Sequence, residues 1–140
     1  MPEISVIITT YKGSNHLGRA IDSVLNQTFS NFEIIIVDDN DPSSEERKKT
    51  EMVVNDYLNN MKNYRIFYIK HKQNKNGAAA RNTGIHKAQG KYIAFLDDDD
   101  FYMPERLEKC YAKLEAMNVN SVYTSVVYAN DSKITGVKCA

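Results

Sequence analysis
Three short apolar runs in this chain end abruptly in clusters of polar side chains, and that repeated junction limits the possible folds more than any other feature. Ile4-Ser-Val-Ile-Ile-Thr-Thr10 gives way to Tyr11-Lys-Gly-Ser-Asn15. Phe32-Glu-Ile-Ile-Ile-Val37 stops at Asp38-Asp-Asn-Asp41, and Tyr92-Ile-Ala-Phe-Leu96 stops at Asp97-Asp-Asp-Asp100. Near-continuous β-branched runs mark strands covered on both faces, as in a parallel sheet. Arg65-Ile-Phe-Tyr-Ile69 reads as one more short strand.

Helical patterns separate these runs. Leu17, Ala20, Ile21, Val24 and Leu25 fall at helical spacing, with Ser14 or Asn15 placed to cap the start. Pro42 and the Ser43-x-x-Glu46 spacing predict a second helix start. That helix begins polar and turns amphipathic at Val53, Val54, Tyr57, Leu58 and Met61, so one end is expected to be exposed. Gly77 to Ala88 predicts a helix of small residues stopped near Gly90, and Pro104 a helix with Leu107, Cys110, Tyr111, Leu114 and Met117 on its apolar face. Ser121–Tyr128 and Lys133–Val137 read as two strands around an Asn130-Asp131 turn. Strand and helix alternate, which predicts an α/β fold: a Rossmann-like, mainly parallel sheet with helices on both faces and no internal domain boundary.

Length and composition agree and exclude little. The chain has 140 residues, enough for one core. Lys+Arg and Asp+Glu are both 18, so net charge points to neither nucleic acid nor an acidic partner. Cys110 and Cys139 fit no metal or redox spacing and suggest a reducing compartment. The opening Met1-Pro-Glu-Ile leads into a strand pattern with no signal-peptide character, and no apolar run reaches membrane-spanning length.

Open parallel sheets bind ligands outside the carboxyl ends of their strands. The polar clusters fall at those ends, so three segments distant in sequence are expected to converge on one rim. Four adjacent carboxylates repel one another and call for a compensating cation; their oxygens suit Mg2+ or Mn2+. In extended backbone Asp97 and Asp99 would share one side, and Asp98 and Asp100 the other. Asp39 can accept a hydrogen bond from a base N–H such as uracil offers, while Tyr11 stacks on the ring. Asp98 can hold a ribose hydroxyl, Asp99 a metal that bridges a diphosphate, and Arg81 beside the Gly77 helix start can attract phosphate. Each has a plainer alternative. The four aspartates can be a solvated turn, Thr9 and Thr10 the finish of a strand, Tyr11 a half-buried wall, Asp39 a helix cap, and Arg81 a solvated charge. His71 and His86 are expected at the surface, and Arg47-Lys-Lys49 on an exposed helix face.

Together these stretches resemble the family-two nucleotide-sugar glycosyltransferases of GT-A fold. The likeness runs through Ser5-Val-Ile-Ile-Thr-Thr-Tyr11, Ser23-Val-Leu-Asn-Gln-Thr-Phe29, Glu33-Ile-Ile-Ile-Val-Asp-Asp39, Ala80-Arg-Asn-Thr-Gly-Ile85, Gly90 to Asp100 and Pro104-Glu-Arg-Leu107. Parts of it are similar to spore-coat polysaccharide transferases. The resemblance implies uridine contacts from Thr9, Tyr11 and Asp39, and a DXD-type element with Asp99 and Asp97 on the metal and Asp98 near the ribose. It places Arg81 near the diphosphate. It implies inverting transfer from a UDP-sugar to an acceptor hydroxyl in polysaccharide or cell-surface glycan synthesis. The divalent metal would be Mn2+ or Mg2+, and the setting cytoplasmic, peripheral at the inner membrane face in the full-length form. On this reading residues 1–140 are the donor-binding part, and the general base, an Asp or Glu, is expected beyond Ala140; Asp131 is a poor candidate. Two other classes fit less well. A receiver-like metal-binding module would need a Lys after a late strand, and a dinucleotide-binding domain would need G-x-G-x-x-G where Thr9-Thr-Tyr-Lys-Gly13 stands.

Overall fold
The computed structural model describes residues 1–130 and 133–138. Cys139 and Asp131 lie outside the described residues. By contacts the chain divides into two compact units, Met1–Glu105 and Arg106–Ala140, where the sequence reading expects none.

The first unit alternates strand and helix: β1 (Ile4–Thr10), α1 (Ser14–Leu25), β2 (Phe32–Asp38), α2 (Glu45–Asn60), β3 (Ile66–Lys70), α3 (Gly77–Lys87) and β4 (Tyr92–Asp97). The strands form one parallel sheet in the order β3-β2-β1-β4. This is the α/β architecture expected from the sequence. β1 and β2 are central, and Val6, Ile7, Ile8, Ile34, Ile35, Ile36 and Val37 are fully buried. Alternate residues of a strand face opposite ways. Ile7, Ile35 and Val37 pack with Ala80 of α3. A Cβ on Gly84 would lie 2.4 Å from Ile7 Cγ2, so the glycine lets α3 sit close to the sheet. α1 buries Leu17, Ala20, Ile21 and Val24. α2 lies beside it, with the Tyr57 hydroxyl 2.7 Å from Asp22 Oδ1.

Several local expectations are corrected. β4 is half exposed, not buried: among the described strands it borders β1 alone, and Ile93 and Phe95 are 40% and 44% exposed. The cap of α2 is Ser44, whose side chain accepts from Arg47 N, and Glu46 turns instead to Ser14 Oγ at 2.9 Å. Ser14 is therefore spent as a donor to Glu46, and α1 starts after Gly13 with no side-chain cap. The buried residues of α2 are Arg47, Thr50 and Val54, so the polar end of the helix is the buried end.

The Ser23-to-Phe29 stretch has a structural use. Ser23 Oγ accepts from Tyr102 N, Gln27 Nε2 donates to Met103 O, and Thr28 N donates to Pro104 O. These bonds tie the end of α1 to the segment that leaves β4. At the other end of the sheet, buried Glu33 accepts from Ser5 Oγ at 2.6 Å and Gln89 N at 2.7 Å.

The second unit holds α4 (Arg106–Met117) and an antiparallel pair, β5 (Val126–Asn130) with β6 (Lys133–Lys138). α4 begins two residues after Pro104 and buries Leu107 and Leu114, whereas Met117 is exposed. β5 starts later than expected, since residues 121–125 are not strand.

Candidate functional site
The carboxyl ends of β1, β2 and β4 meet with the start of α3 on a cleft of about 470 Å3. Thr9, Tyr11, Asp39, Arg81, Asp97, Asp98 and Asp99 all line it. The structure thus brings every candidate residue of the sequence reading onto one rim.

β1 ends in a tight loop that leaves Tyr11 about half exposed, at 47%. Lys12 adopts a left-handed φ of 57°, a conformation that costs a non-glycine residue on the order of 1 kcal/mol. Its backbone N–H donates to Asn40 Oδ1 at 2.8 Å, which helps hold the turn, and its ammonium lies 5.1 Å from the Tyr11 ring centroid. Gly13 follows and leaves room for the Asp98 side chain. A Cβ there would lie 1.9 Å from Asp98 Oδ2.

β2 delivers Asp38 and Asp39 into different surroundings. Asp38 is fully buried and points away from the cleft. Its Oδ1 accepts from Asn40 N and Nδ2, and its Oδ2 accepts from Tyr68 Oη at 2.6 Å. Arg47 Nε lies 3.1 Å from that same Oδ2. The Arg47 guanidinium also donates through Nη2 to the carbonyls of Asp38, Asn40 and His71. Burial, then the bond to Asp38, pushes the Tyr68 hydroxyl well above its ordinary pKa. Arg47 is accordingly no part of an exposed basic face; only Lys48 and Lys49 of that run are exposed.

Asp39 faces the cleft and caps no helix. Its Oδ1 accepts from Lys75 N at 2.8 Å and lies 2.7 Å from His71 Nδ1, while its Oδ2 accepts from Asn74 Nδ2 at 3.0 Å. His71 is correspondingly buried at 7% exposure, a correction to its expected surface position, because Asp39 and Thr83 engage its two ring nitrogens. His86 is exposed, as expected. Sequence reasoning missed His71, Asn74 and Arg47 as parts of this wall. The signal for the first two was their place in a polar loop directly after a strand, which is the same rim.

At β4, Asp98 and Asp99 occupy a turn closed by Asp100 N donating to Asp97 O at 3.1 Å. The extended alternation expected for the four aspartates therefore does not apply. Asp97 Oδ1 takes Arg81 Nη2 at 2.6 Å and Thr9 Oγ1 at 3.3 Å. Asp98 Oδ2 accepts from Tyr11 N at 3.3 Å. Burial, with the charges of Asp99 and Asp97 adding to it, raises the Asp98 pKa above its ordinary value. Asp100 is raised likewise, by burial first and by Asp99 next. The turn is also held from α1, where Arg19 Nη2 donates to Asp99 O at 2.6 Å. Among the described residues, no donor is bonded to the Asp99 carboxylate.

The described residues hold no group of three or more His, Cys, Asp or Glu suited to enclosing a metal. Mg2+ and its analogues do not need such a cage. They are commonly held by one or two carboxylates plus substrate phosphates. An exposed, unbonded Asp99 beside Asp97 fits that mode of binding.

The sequence profile described as "Glycosyl transferase family 2" matches residues 5–138. An uncharacterized glycosyltransferase of Methanocaldococcus jannaschii is 39% identical over 131 residues, 93% of this chain and 43% of the relative. The Escherichia coli UDP-Glc:alpha-D-GlcNAc-diphosphoundecaprenol beta-1,3-glucosyltransferase WfaP is 34% identical over 137 residues, 98% of this chain and 51% of the relative. The chain therefore spans about half the length of these curated relatives or less. Among solved structures, S. aureus TarS 1–349 in complex with UDP superposes with a TM-score of 0.72 at 25% identity, covering 92% of this chain and 40% of that one. A mannosyltransferase of Pyrobaculum calidifontis in complex with GDP-Man and Mn2+ has a TM-score of 0.69 over 91% of this chain and 35% of its own. At 19% identity that second likeness is one of fold alone.

Proposed function
Because this chain belongs to glycosyl transferase family 2, we propose that its cleft is the donor site of a glycosyltransferase and binds a UDP-sugar. The observation that carries this reading is the convergence on one cleft of an exposed aromatic ring, an inward-facing carboxylate, an arginine and a bare aspartate, from four separate segments.

Each group has a role that its surroundings allow. Tyr11 offers an exposed face for stacking on a uracil ring. Asp39 has an acceptor position open on Oδ2 for the uracil N3–H, and Thr9 lines the same cleft. Asp98 accepts from Tyr11 N and lines the cleft, where its carboxylate can hold a ribose hydroxyl. Arg81 and the start of α3 at Gly77 supply positive potential where a diphosphate would lie. Asp99, with Asp97 beside it, would hold Mn2+ or Mg2+. When bound, such an ion supplies charge neutralisation to the departing diphosphate.

For the whole protein we extend the reading to inverting transfer onto an acceptor hydroxyl of a polysaccharide or cell-surface glycan. The similarity to a relative named as a UDP-Glc glucosyltransferase supports the donor class. The general base would come from outside residues 1–140, which act as the donor-binding part. No helix among the described residues is long and apolar enough to cross a membrane. A lipid-linked acceptor, as in the name of the E. coli relative, would set the full protein peripherally at the inner, cytoplasmic membrane face.

The test is calorimetric titration of the chain with UDP and with GDP, in Mn2+ and in chelator. UDP should bind more tightly than GDP, and more tightly with metal. Asp99→Ala should abolish the metal dependence, weakening binding by about tenfold or more, about 1.4 kcal/mol, with the thermal midpoint unchanged. A folded chain that binds UDP identically with and without metal, or binds no nucleotide, would overturn the reading.

A further inference from the structure
His71 is the one side chain among the described residues that joins Asp39 to α3. It directly follows β3, and its backbone is fixed from both sides: His71 N donates to Asp38 O at 2.9 Å, and His71 O accepts from Arg47 Nη2 at 2.8 Å. Its ring spans from Asp39 Oδ1, 2.7 Å from Nδ1, to Thr83 Oγ1, 2.8 Å from Nε2.

Hydrogen bookkeeping fixes the Asp39 end of this bridge. An ionised carboxylate only accepts, so Nδ1 carries a hydrogen and donates it to Asp39 Oδ1. At the other end Thr83 Oγ1 lies 2.8 Å from Nε2 and 3.0 Å from Ala79 O, which anchors the ring to α3. The Nδ1 hydrogen is assigned from the bond network. The consequence reaches the cleft. Both lone pairs of Asp39 Oδ1 are filled, by His71 and by Lys75 N, and Asn74 fills one on Oδ2. One acceptor position is left on a carboxylate that lines the cleft.

We propose that His71 is a positioning residue for base selection: as a bridge from Thr83 to Asp39 it keeps the carboxylate turned, so that its one open lone pair meets the base. This rests on the reading of the cleft as a nucleotide site. A lone pair fixed there attracts a base that presents a ring N–H, as uracil does, and repels one that presents a ring nitrogen lone pair, as cytosine does at the same position. Selectivity for UDP over CDP thereby depends on a residue that touches neither nucleotide.

Two measurements test it. In 15N-detected NMR of the nucleotide-free chain, His71 Nδ1 should carry a proton. A ring with a bare Nδ1 overturns the bridge whatever the cleft binds. Calorimetry with UDP and CDP then reads the selectivity. His71→Gln keeps a donor for Asp39 but cannot span to Thr83, and should cut the UDP:CDP ratio by about tenfold, as expected for loss of a charge-assisted bond. Val54→Ala, destabilised in the core of α2 away from the cleft, should keep the wild-type ratio. If His71→Gln does not fold, Thr83→Val removes only the far end of the bridge and should lower the same ratio. A folded His71→Gln or Thr83→Val chain with wild-type selectivity overturns the proposal. A wild-type chain that binds neither nucleotide overturns the donor-site reading, and with it the selectivity, while the NMR result still decides the bridge.

Discussion

Asp38-Asp39 at the end of β2 and Asp97–Asp100 at the end of β4 are the same chemical signal at two places in one sheet, and the fold treats them differently. β2 lies between β1 and β3, so Asp38 is fully buried and has a dedicated cation, with Arg47 Nε 3.1 Å away and both partners nearly inaccessible. Asp39 beside it is saturated by protein donors except at one position. β4 borders only β1 among the described strands. Of its aspartates, Asp97 pairs with half-exposed Arg81, Arg19 acts on Asp100 and on the Asp99 carbonyl, and among the described residues no donor meets the Asp99 carboxylate. A buried charge must be compensated by the protein itself, because an uncompensated one costs several kcal/mol. An exposed one can be left for a ligand. The position of a strand in the sheet thus separates a structural acid from a binding acid.

The sharpest way to break this contrast is to remove the two arginines in turn. Arg47→Met leaves Asp38 buried with no cation and cuts three bonds to carbonyls at the ends of β2 and β3. The expected loss is about 3–5 kcal/mol, a large share of the stability of a domain this size. It is read as a lower urea midpoint and partly restored by adding Asp38→Asn. Arg81→Met removes a pair whose side chains are 40% and 46% exposed, and its stability cost is expected to be about 0–1 kcal/mol. Equal losses in the two variants would show that burial does not separate the clusters.

A smaller effect is expected at Gly13, which makes room for the β4 aspartates against the β1 loop. An alanine Cβ at 1.9 Å from Asp98 Oδ2 forces that side chain out and breaks its bond from Tyr11 N. The displaced group is the flexible end of a side chain, so the stability cost is about 1 kcal/mol, that of one hydrogen bond. UDP affinity should fall along with it, because Asp98 and Tyr11 line the same cleft. Gly84→Ala is the control, since its clash is with core Ile7 and should lower stability without a specific change in nucleotide binding. Unchanged UDP affinity in Gly13→Ala would detach Asp98 from the site.

Much of this was legible in the sequence, and what was not shares one cause. The apolar runs and intervening helical spacings predict the α/β sheet because both signals are local. The convergence of Thr9, Tyr11, Asp39, Arg81 and the β4 aspartates follows from where strands end. Arg47, His71 and Thr50 are different, since each is polar and looks solvated until a distant partner is known. Arg47 meets His71 O across 24 residues, and His71 meets Asp39 across 32. The apolar spacing at Val53, Val54, Tyr57, Leu58 and Met61 hid the buried face of α2, which runs through Arg47, Thr50 and Val54 because a polar network fills part of the core. In β4, Ile93 and Phe95 read as buried because an apolar run does not reveal how many neighbours cover it; among the described strands β4 has one.

The smallest expected effect tests whether the β4 charges are under-compensated in the fold itself. Asp98 has its folded pKa raised above 3.8, by burial first and by its acidic neighbours after that. A raised acid binds protons more tightly in the folded state than in the unfolded one. Its contribution to stability is therefore fully present below the ordinary carboxylate value and is lost as pH rises through the raised value. Asp100 shares this direction, whereas Glu45 and Glu46, lowered first by their bonds to Lys48 and to Ser14, work the opposite way and lose stability as pH falls. The comparison must therefore be a difference. Urea midpoints of the wild-type chain and Asp98→Asn, taken in chelator from neutral pH downward, should show the variant relatively more stable at neutral pH, with the gap closing on acidification. A gap that does not change with pH would mean that Asp98 is as well compensated at the edge of the sheet as Asp38 is at its centre, and the contrast between the two acidic ends would then lie in geometry alone.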